Sequence, residues 1–174
     1  MTTTDTHKQI VWLTPYRALV VQIFISWSAD YFNARSIHSA LCGVIGGAGF
    51  LASALLPADN YGARYGCLFI ANIGAFSSIP PLLGWLSSNT SGTAAVGLAI
   101  ALNIGLGGSP GQIIGVWVYK AEEAKKGYPT GHGVNAAFCF LAAIGCVGLR
   151  VYYGWRNKKL LKGGNEEETR VFKY

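Results

Sequence analysis

Polar side chains that could bind a solute stand isolated in long apolar stretches of this sequence. They are the amides Gln22, Asn72, Asn103 and Gln112, together with the hydroxyl of Ser77. An amide in apolar surroundings costs free energy unless it is hydrogen-bonded. Two interpretations stay open: each amide bonds a neighbouring helix, or the polar groups form a patch that faces a substrate. As lining of such a path we nominate Asn72, Ser77, Asn103 and Gln112.

Acidic side chains are missing from the interiors of these stretches. Asp30 stands at one edge and His132 at another, so a proton relay has no obvious deep acid. The sequence lacks Gly-x-Ser-x-Gly and His-Glu-x-x-His, it has no paired acids within one spanning region, and its four cysteines have no metal-ligand spacing. We predict that the chain is not an enzyme, with no catalytic residue, no metal and no cofactor.

Glycines recur every four residues at Gly107, Gly111 and Gly115, with Pro110 among them. This spacing places the glycines on one helix face, where a second backbone can approach closely. Pro110 cannot donate a backbone hydrogen bond, so the helix should bend there. The face is either a static packing groove or a hinge in a helix that must move. The pair Pro80-Pro81 predicts a break within its own apolar segment, the one before the segment that contains these glycines.

The elements that position these residues are long apolar segments. Between Arg35 and Lys120 there are only two charged side chains, Asp59 and Arg64, both in one short break. A helix of about twenty apolar residues crosses a hydrocarbon core of about 30 Å. We therefore predict an all-α, polytopic membrane protein with five transmembrane helices, at residues 15–31, 37–56, 65–86, 93–119 and 134–153. The membrane domain (15–154) would follow a polar N-terminal tail (1–14) and precede a charged C-terminal tail (155–174).

The basic residues concentrate at the C-terminal end. Seven of the 14 Lys and Arg residues occupy positions from Arg150 onward, and the net charge is +6. A basic cluster just past a span marks a cytoplasmic end. We therefore expect a cytoplasmic C-terminus, an N-terminus on the other side, and a lipid bilayer rather than nucleic acid as the partner.

Several segments, taken in order, resemble one transporter family. They are Trp85 to Gly92, Ala99 to Gly105, Gly111 to Gly115 with Tyr119, Tyr128 to His132, and Arg150 with Tyr152 and Asn157. Their order and spacing resemble the last two helices of fungal allantoate-permease-like transporters, the anion:cation symporter branch of the major facilitator superfamily. Pro15 to Arg35 is similar to helix eight and the loop after it, with Asp30 and Arg35 at the acidic and final basic positions of the cytoplasmic loop motif. Asn33 stands where glycine is usual, and asparagine tolerates the same left-handed backbone.

The resemblance, from about Pro15 to Asn157, implies that the five spans are helices eight to twelve of a twelve-helix carrier. It implies proton-coupled uptake of small organic anions or vitamins, a fungal plasma membrane, and a cytoplasmic gate to which Asp30 and Arg35 contribute. Ser26 and Tyr31 depart from the motif, which predicts a weaker gating ion pair. The amino-terminal domain and helix seven have no counterpart here, so we expect a fragment that does not transport alone. The alternatives are a truncated, non-transporting membrane protein that binds or modulates a full-length homologous transporter, and a mispredicted or decayed gene fragment.

Overall fold

The computed structural model describes residues 19–162, and every regular element in that range is helical. Helix α1 covers residues 19–31. The elements that follow are α2 (Arg35–Leu55), α3 (Tyr61–Ser77), α4 (Ile79–Asn89), α5 (Thr93–Leu102), a π-helix (Asn103–Gly108), α6 (Ser109–Val118), a 3-10 helix (Ala121–Lys126) and α7 (Pro129–Lys162). The prediction of an all-α protein is confirmed.

Within residues 19–162, four helical segments are long and apolar enough to cross a membrane. They are α2, α3 with α4, α5 through α6, and α7. The start of the first predicted span, the N-terminal tail and residues 163–174 lie outside the described residues, so the count of five spans stays a prediction. Helix α7 continues past its predicted end to Lys162. At 1.5 Å per residue its length is about 51 Å, well beyond the thickness of a hydrocarbon core.

Helix α2 is central, and its small residues let α3 pack directly against its backbone. A methyl group added at Gly74 of α3 would overlap the backbone of Gly46. One added at Gly49 would lie 2.6 Å from the amide nitrogen of Ala71. Helices in lipid gain little from burying apolar surface, so their association depends on close packing of this kind.

A second face of α2 packs against α7. A methyl group added at Gly43 would lie 3.3 Å from Cβ of Ala143, and one added at Gly47 would lie 2.9 Å from the ring of Phe140. Gly43 and Gly47 are four residues apart, which places them on one side of the helix. Helix α2 is therefore held between α3 and α7 by two different sets of small residues.

The predicted break before Pro80-Pro81 is present, because α3 ends at Ser77 and α4 begins at Ile79. The Ser78 hydroxyl donates to the Ala75 carbonyl at 2.7 Å, and Ser39 of α2 donates to the Ser78 carbonyl at 3.3 Å. These hydroxyl groups thus bond backbone oxygens next to the break.

Pro110 lies just after a different irregularity. The helix is not interrupted there; the residues before it, Asn103–Gly108, widen into the π-helix. A π-helical turn also leaves room for a residue that cannot donate its backbone hydrogen bond.

We predict that Gly74→Ala destabilises the bundle, because the new methyl group must displace the α2 backbone. Overpacking of this type costs about 1–3 kcal/mol. The midpoint of thermal unfolding in detergent, followed by far-UV circular dichroism, measures the effect. The matched control is Gly66→Ala on the same helix, where an added methyl group meets nothing within 4 Å. The control should keep or slightly raise the midpoint, and equal midpoints for the two variants would contradict the packing described.

Candidate functional site

Arg35, the first residue of α2, joins three helices at one end of the bundle. Its Nε lies 2.6 Å from Oδ1 of Asp30 at the end of α1. Its Nη1 donates to the Gly84 carbonyl at 2.9 Å and to the Ser88 hydroxyl at 3.2 Å, both on α4. Asn33, in the turn between α1 and α2, has a φ of 49° and so adopts the left-handed backbone expected from the sequence. The guanidinium thereby fixes the α1–α2 turn against α4.

Three further polar contacts stabilise the same end. The carbonyl of Ala34 accepts from Nδ1 of His38 at 2.9 Å, so in the neutral ring Nε2 is an acceptor. The Ser28 hydroxyl of α1 lies 3.1 Å from that Nε2 and is its donor. On the other side of α2, Arg150 of α7 donates to the Ser36 hydroxyl at 2.9 Å. The beginning of α2 is therefore hydrogen-bonded to α1, α4 and α7.

The opposite end of the bundle holds a second polar cluster around Tyr119. The amide of Asn135 donates to the Tyr119 hydroxyl at 2.9 Å, and that hydroxyl lies 3.1 Å from Nδ1 of His132. The His132 ring is buried and stacks on Phe50 of α2 at a centroid distance of 6.3 Å. Gly131 makes room for the tyrosine, because a methyl group there would lie 2.7 Å from its ring. This cluster joins the residue after α6 to α7 and α2.

The segment between α6 and α7 is bonded to α3 and to α7. Arg64, near the start of α3, donates through Nη2 to the carbonyl of Gly127, which has a φ of 77°. The Glu123 carboxylate accepts from the amide and hydroxyl of Thr130, at 3.2 and 2.6 Å. The hydroxyl bond is the main reason why the pKa of Glu123 lies below its usual value. Charged groups near the membrane surface thus order this segment.

A cleft of about 370 Å³ lies between α4, the π-helix and α7. Its lining includes Leu82, Leu86, Asn103, Leu149 and Tyr153. Trp85 is buried beside it and meets Tyr153 edge to face, with ring centroids 5.7 Å apart. Because most of its wall is hydrocarbon, the cleft suits an apolar group better than a free anion.

The four residues nominated for a substrate path do not meet in one pocket of the described chain. Asn103 lines the cleft, whereas Asn72 and Gln112 lie exposed on other helices. Ser77 is buried, and its hydroxyl makes no hydrogen bond within the described part of the chain. The roles of all four therefore stay predictions.

The glycine face of the α5–α6 segment has no neighbour in the described range. A methyl group added at Gly107, Gly111 or Gly115 meets nothing within 4 Å, and no residue of α5, the π-helix or α6 is buried. A hinge or a packing surface toward another helix remains a prediction for this face and for Pro110.

Sequence reasoning overlooked several residues that the fold brings together. Arg64 was read only as part of a polar break, and Asn135 and Ser36 were not singled out. Asn135 lies three residues after His132, on the same side of α7, which could have linked the two. Nothing local in the sequence connects Arg64 with Gly127, or Ser36 with Arg150, because each pair is distant along the chain.

We predict that Arg35→Ala lowers the thermal midpoint in detergent more than Asp30→Ala does. An exposed ion pair contributes less than about 1 kcal/mol, and the Asp30 side chain is 60% exposed. Arg35 also makes two hydrogen bonds to α4, each worth about 1 kcal/mol. The midpoint of Arg35→Lys should lie between those of the unsubstituted chain and Arg35→Ala, because lysine keeps the charge and loses the forked hydrogen-bond donor. A larger fall in the thermal midpoint for Asp30→Ala would show that the hydrogen bonds from Arg35 to α4 contribute little to stability.

Two curated proteins are similar to this chain. The MFS transporter prlL of Fungal sp. (strain NRRL 50135) is 62% identical over 170 residues, which is 97% of this chain. The Uncharacterized transporter C11D3.18C of Schizosaccharomyces pombe (strain 972 / ATCC 24843) is 24% identical over 137 residues, 79% of the chain. The chain spans 34% and 27% of the lengths of these relatives. No family model and no solved structure matches it. Over nearly all of its length, therefore, this chain is homologous to about one third of a transporter of the major facilitator superfamily.

Proposed function

We propose that this chain forms part of a carrier that takes up small organic anions or vitamins together with a proton. The observation that carries the proposal is the 62% identity to an MFS transporter, spread over helices of membrane-spanning length. The anionic substrate, the proton and a fungal plasma membrane are supported by the resemblance to allantoate-permease-like symporters. In this proposal the chain contributes part of one half of the carrier.

A gate at the Arg35 end is the element of the proposal that the described contacts support best. Carriers of this type move two halves against each other around a central site. The bonds from Arg35 to Asp30, Gly84 and Ser88 are few and exchangeable. These bonds would stabilise α1, α2 and α4 in one of the two positions of the carrier halves and would break in the other position. We assign this end, with the basic end of α7, to the cytoplasmic side.

The substrate path is assigned to Asn72, Ser77, Asn103 and Gln112. Three of these side chains are exposed on the described helices, so they are available to face other helices of a longer carrier. Ser77 is buried beside the break between α3 and α4, so a shift at that break would bring its hydroxyl to a substrate. Gly107, Pro110, Gly111 and Gly115 would let the α5–α6 segment slide against such a partner.

Proton coupling needs a titratable group in contact with the path. No Asp or Glu lies in the four candidate spans within residues 19–162. The proton would therefore be carried by a residue elsewhere in the carrier or by a histidine such as His132.

Uptake into proteoliposomes tests this proposal. The 174-residue chain alone should show no saturable uptake of nicotinate, allantoate or related carboxylates under an inward proton gradient, because the site lies between two halves. A chimaera of the prlL transporter carrying this chain in place of its homologous third should take up at least one carboxylate, and a protonophore should abolish that uptake. Uptake by the chain alone would contradict the proposal that it forms only part of one half of a carrier. Uptake that is insensitive to the protonophore would contradict proton coupling.

A second candidate is a non-transporting membrane protein that binds and modulates a full-length carrier. Affinity purification of the tagged chain in mild detergent, from cells that express a full-length homologue, separates the candidates. Recovery of the homologue at a fixed ratio favours the modulator, and its absence favours a part of a carrier.

A further inference from the structure

The cleft between α4, the π-helix and α7 is more apolar than its amide and hydroxyl residues suggest. Asn89 donates to the Trp85 carbonyl at 2.9 Å, and Thr90 donates to the Leu86 carbonyl at 2.8 Å. These side chains bond their own helix, so they offer little to a polar solute in the cleft. The rest of the wall is mostly apolar and includes Leu82, Leu83, Leu86 and Leu149; Asn103 and Tyr153 contribute its other amide and hydroxyl groups.

The position of the cleft makes hydrocarbon its natural occupant. All three helical segments that form it belong to candidate membrane spans. A recess between membrane-spanning helices opens onto lipid rather than water. An unfilled apolar recess loses dispersion contacts. A chain of methylene groups restores those contacts without leaving a polar group unsatisfied.

A basic residue lies next to the cleft-lining residues on the same face of α7. Cys146, Leu149 and Tyr153 line the cleft at intervals of three and four residues, and Arg156 is the next residue at that spacing. Arg156 is exposed and donates to the Tyr152 hydroxyl at 3.2 Å. Because α7 is longer than the hydrocarbon core is thick, Arg156 can lie at the level of lipid headgroups.

The charges around Arg156 favour an anion. The last two turns of α7 also carry Lys158, Lys159 and Lys162, and no acidic side chain occurs between Ala124 and Lys162. Trp155 is 61% exposed and lies beneath the Lys159 ammonium at 5.5 Å, an arrangement suited to the membrane interface. Anionic phospholipids are attracted to basic residues in this position.

We propose that one anionic glycerophospholipid binds here, with an acyl chain in the cleft and its net negative headgroup against Arg156. The site is formed by this chain alone and does not depend on transport. It is distinct from the Arg35 cluster. It shares Asn103 with the residues assigned to the path, and while an acyl chain fills the cleft Asn103 faces that chain rather than a substrate.

Native mass spectrometry of the 174-residue chain, titrated in detergent with phosphatidylserine or phosphatidylcholine, tests the site. Phosphatidylserine should bind more tightly. Arg156→Ala should weaken phosphatidylserine roughly fivefold, the effect of one basic residue near a lipid surface, and leave phosphatidylcholine nearly unchanged. Gly145→Leu should weaken both lipids, because position 145 lines the cleft and an added methyl group there meets nothing within 4 Å.

The matched control is Lys158→Ala, which removes the same charge from the same end of α7. Lys158 is about 200° around the helix from Arg156 and so faces away from the cleft. Lys158→Ala should therefore change the affinity for phosphatidylserine less than twofold. Equal effects of Arg156→Ala and Lys158→Ala, equal affinity for the two lipids, or no effect of Gly145→Leu would each overturn the proposal. Far-UV circular dichroism confirms that every variant is folded.

Discussion

The contact between the α2 backbone and its neighbours is the constraint on which the rest of this structure depends. In lipid an apolar side chain gains little by leaving one hydrocarbon surface for another, so helices associate through shape and polar contacts. At Gly46 and Gly74 the two backbones approach so closely that a single methyl group does not fit. This closeness places the start of α2 near α4 and α7, where the polar contacts of Arg35 and Ser36 form.

Most of the side-chain hydrogen bonds described between helices lie at the two ends of the bundle. At one end Arg35 and His38 join α2 to α1 and α4, and at the other Tyr119 and His132 join α6 to α7. Between these ends the contacts are mainly those of small and apolar residues. The centre is therefore held by close packing and the two ends by hydrogen bonds.

The sequence predicted the broad architecture because its signals are local. Runs of apolar residues identify the spans, Pro80-Pro81 identifies the break in the third predicted span, and Asn33 identifies a left-handed turn. The pairing of Asp30 with Arg35 also lies within one short segment. Each of these features is decided by residues close together along the chain.

The choice of packing faces could not be predicted in the same way. Gly107, Gly111 and Gly115 have the most regular spacing, yet the close glycine contacts between described helices form at Gly43, Gly46, Gly47, Gly49 and Gly74. Spacing shows that a helix could be approached closely, and only the fold shows which helix approaches it. The Arg64–Gly127 bond is inaccessible to sequence reasoning for the same reason.

Disulfide cross-linking in carbonate-washed membranes tests most directly that α2 is the packing centre of a membrane bundle. Gly43→Cys and Ala143→Cys, in a chain without its native cysteines, should form a disulfide on mild oxidation, because the two Cβ positions lie 3.3 Å apart. Gly66→Cys with Ala143→Cys should not. Failure of the first pair to cross-link, or release of the chain by the carbonate wash, would contradict the account.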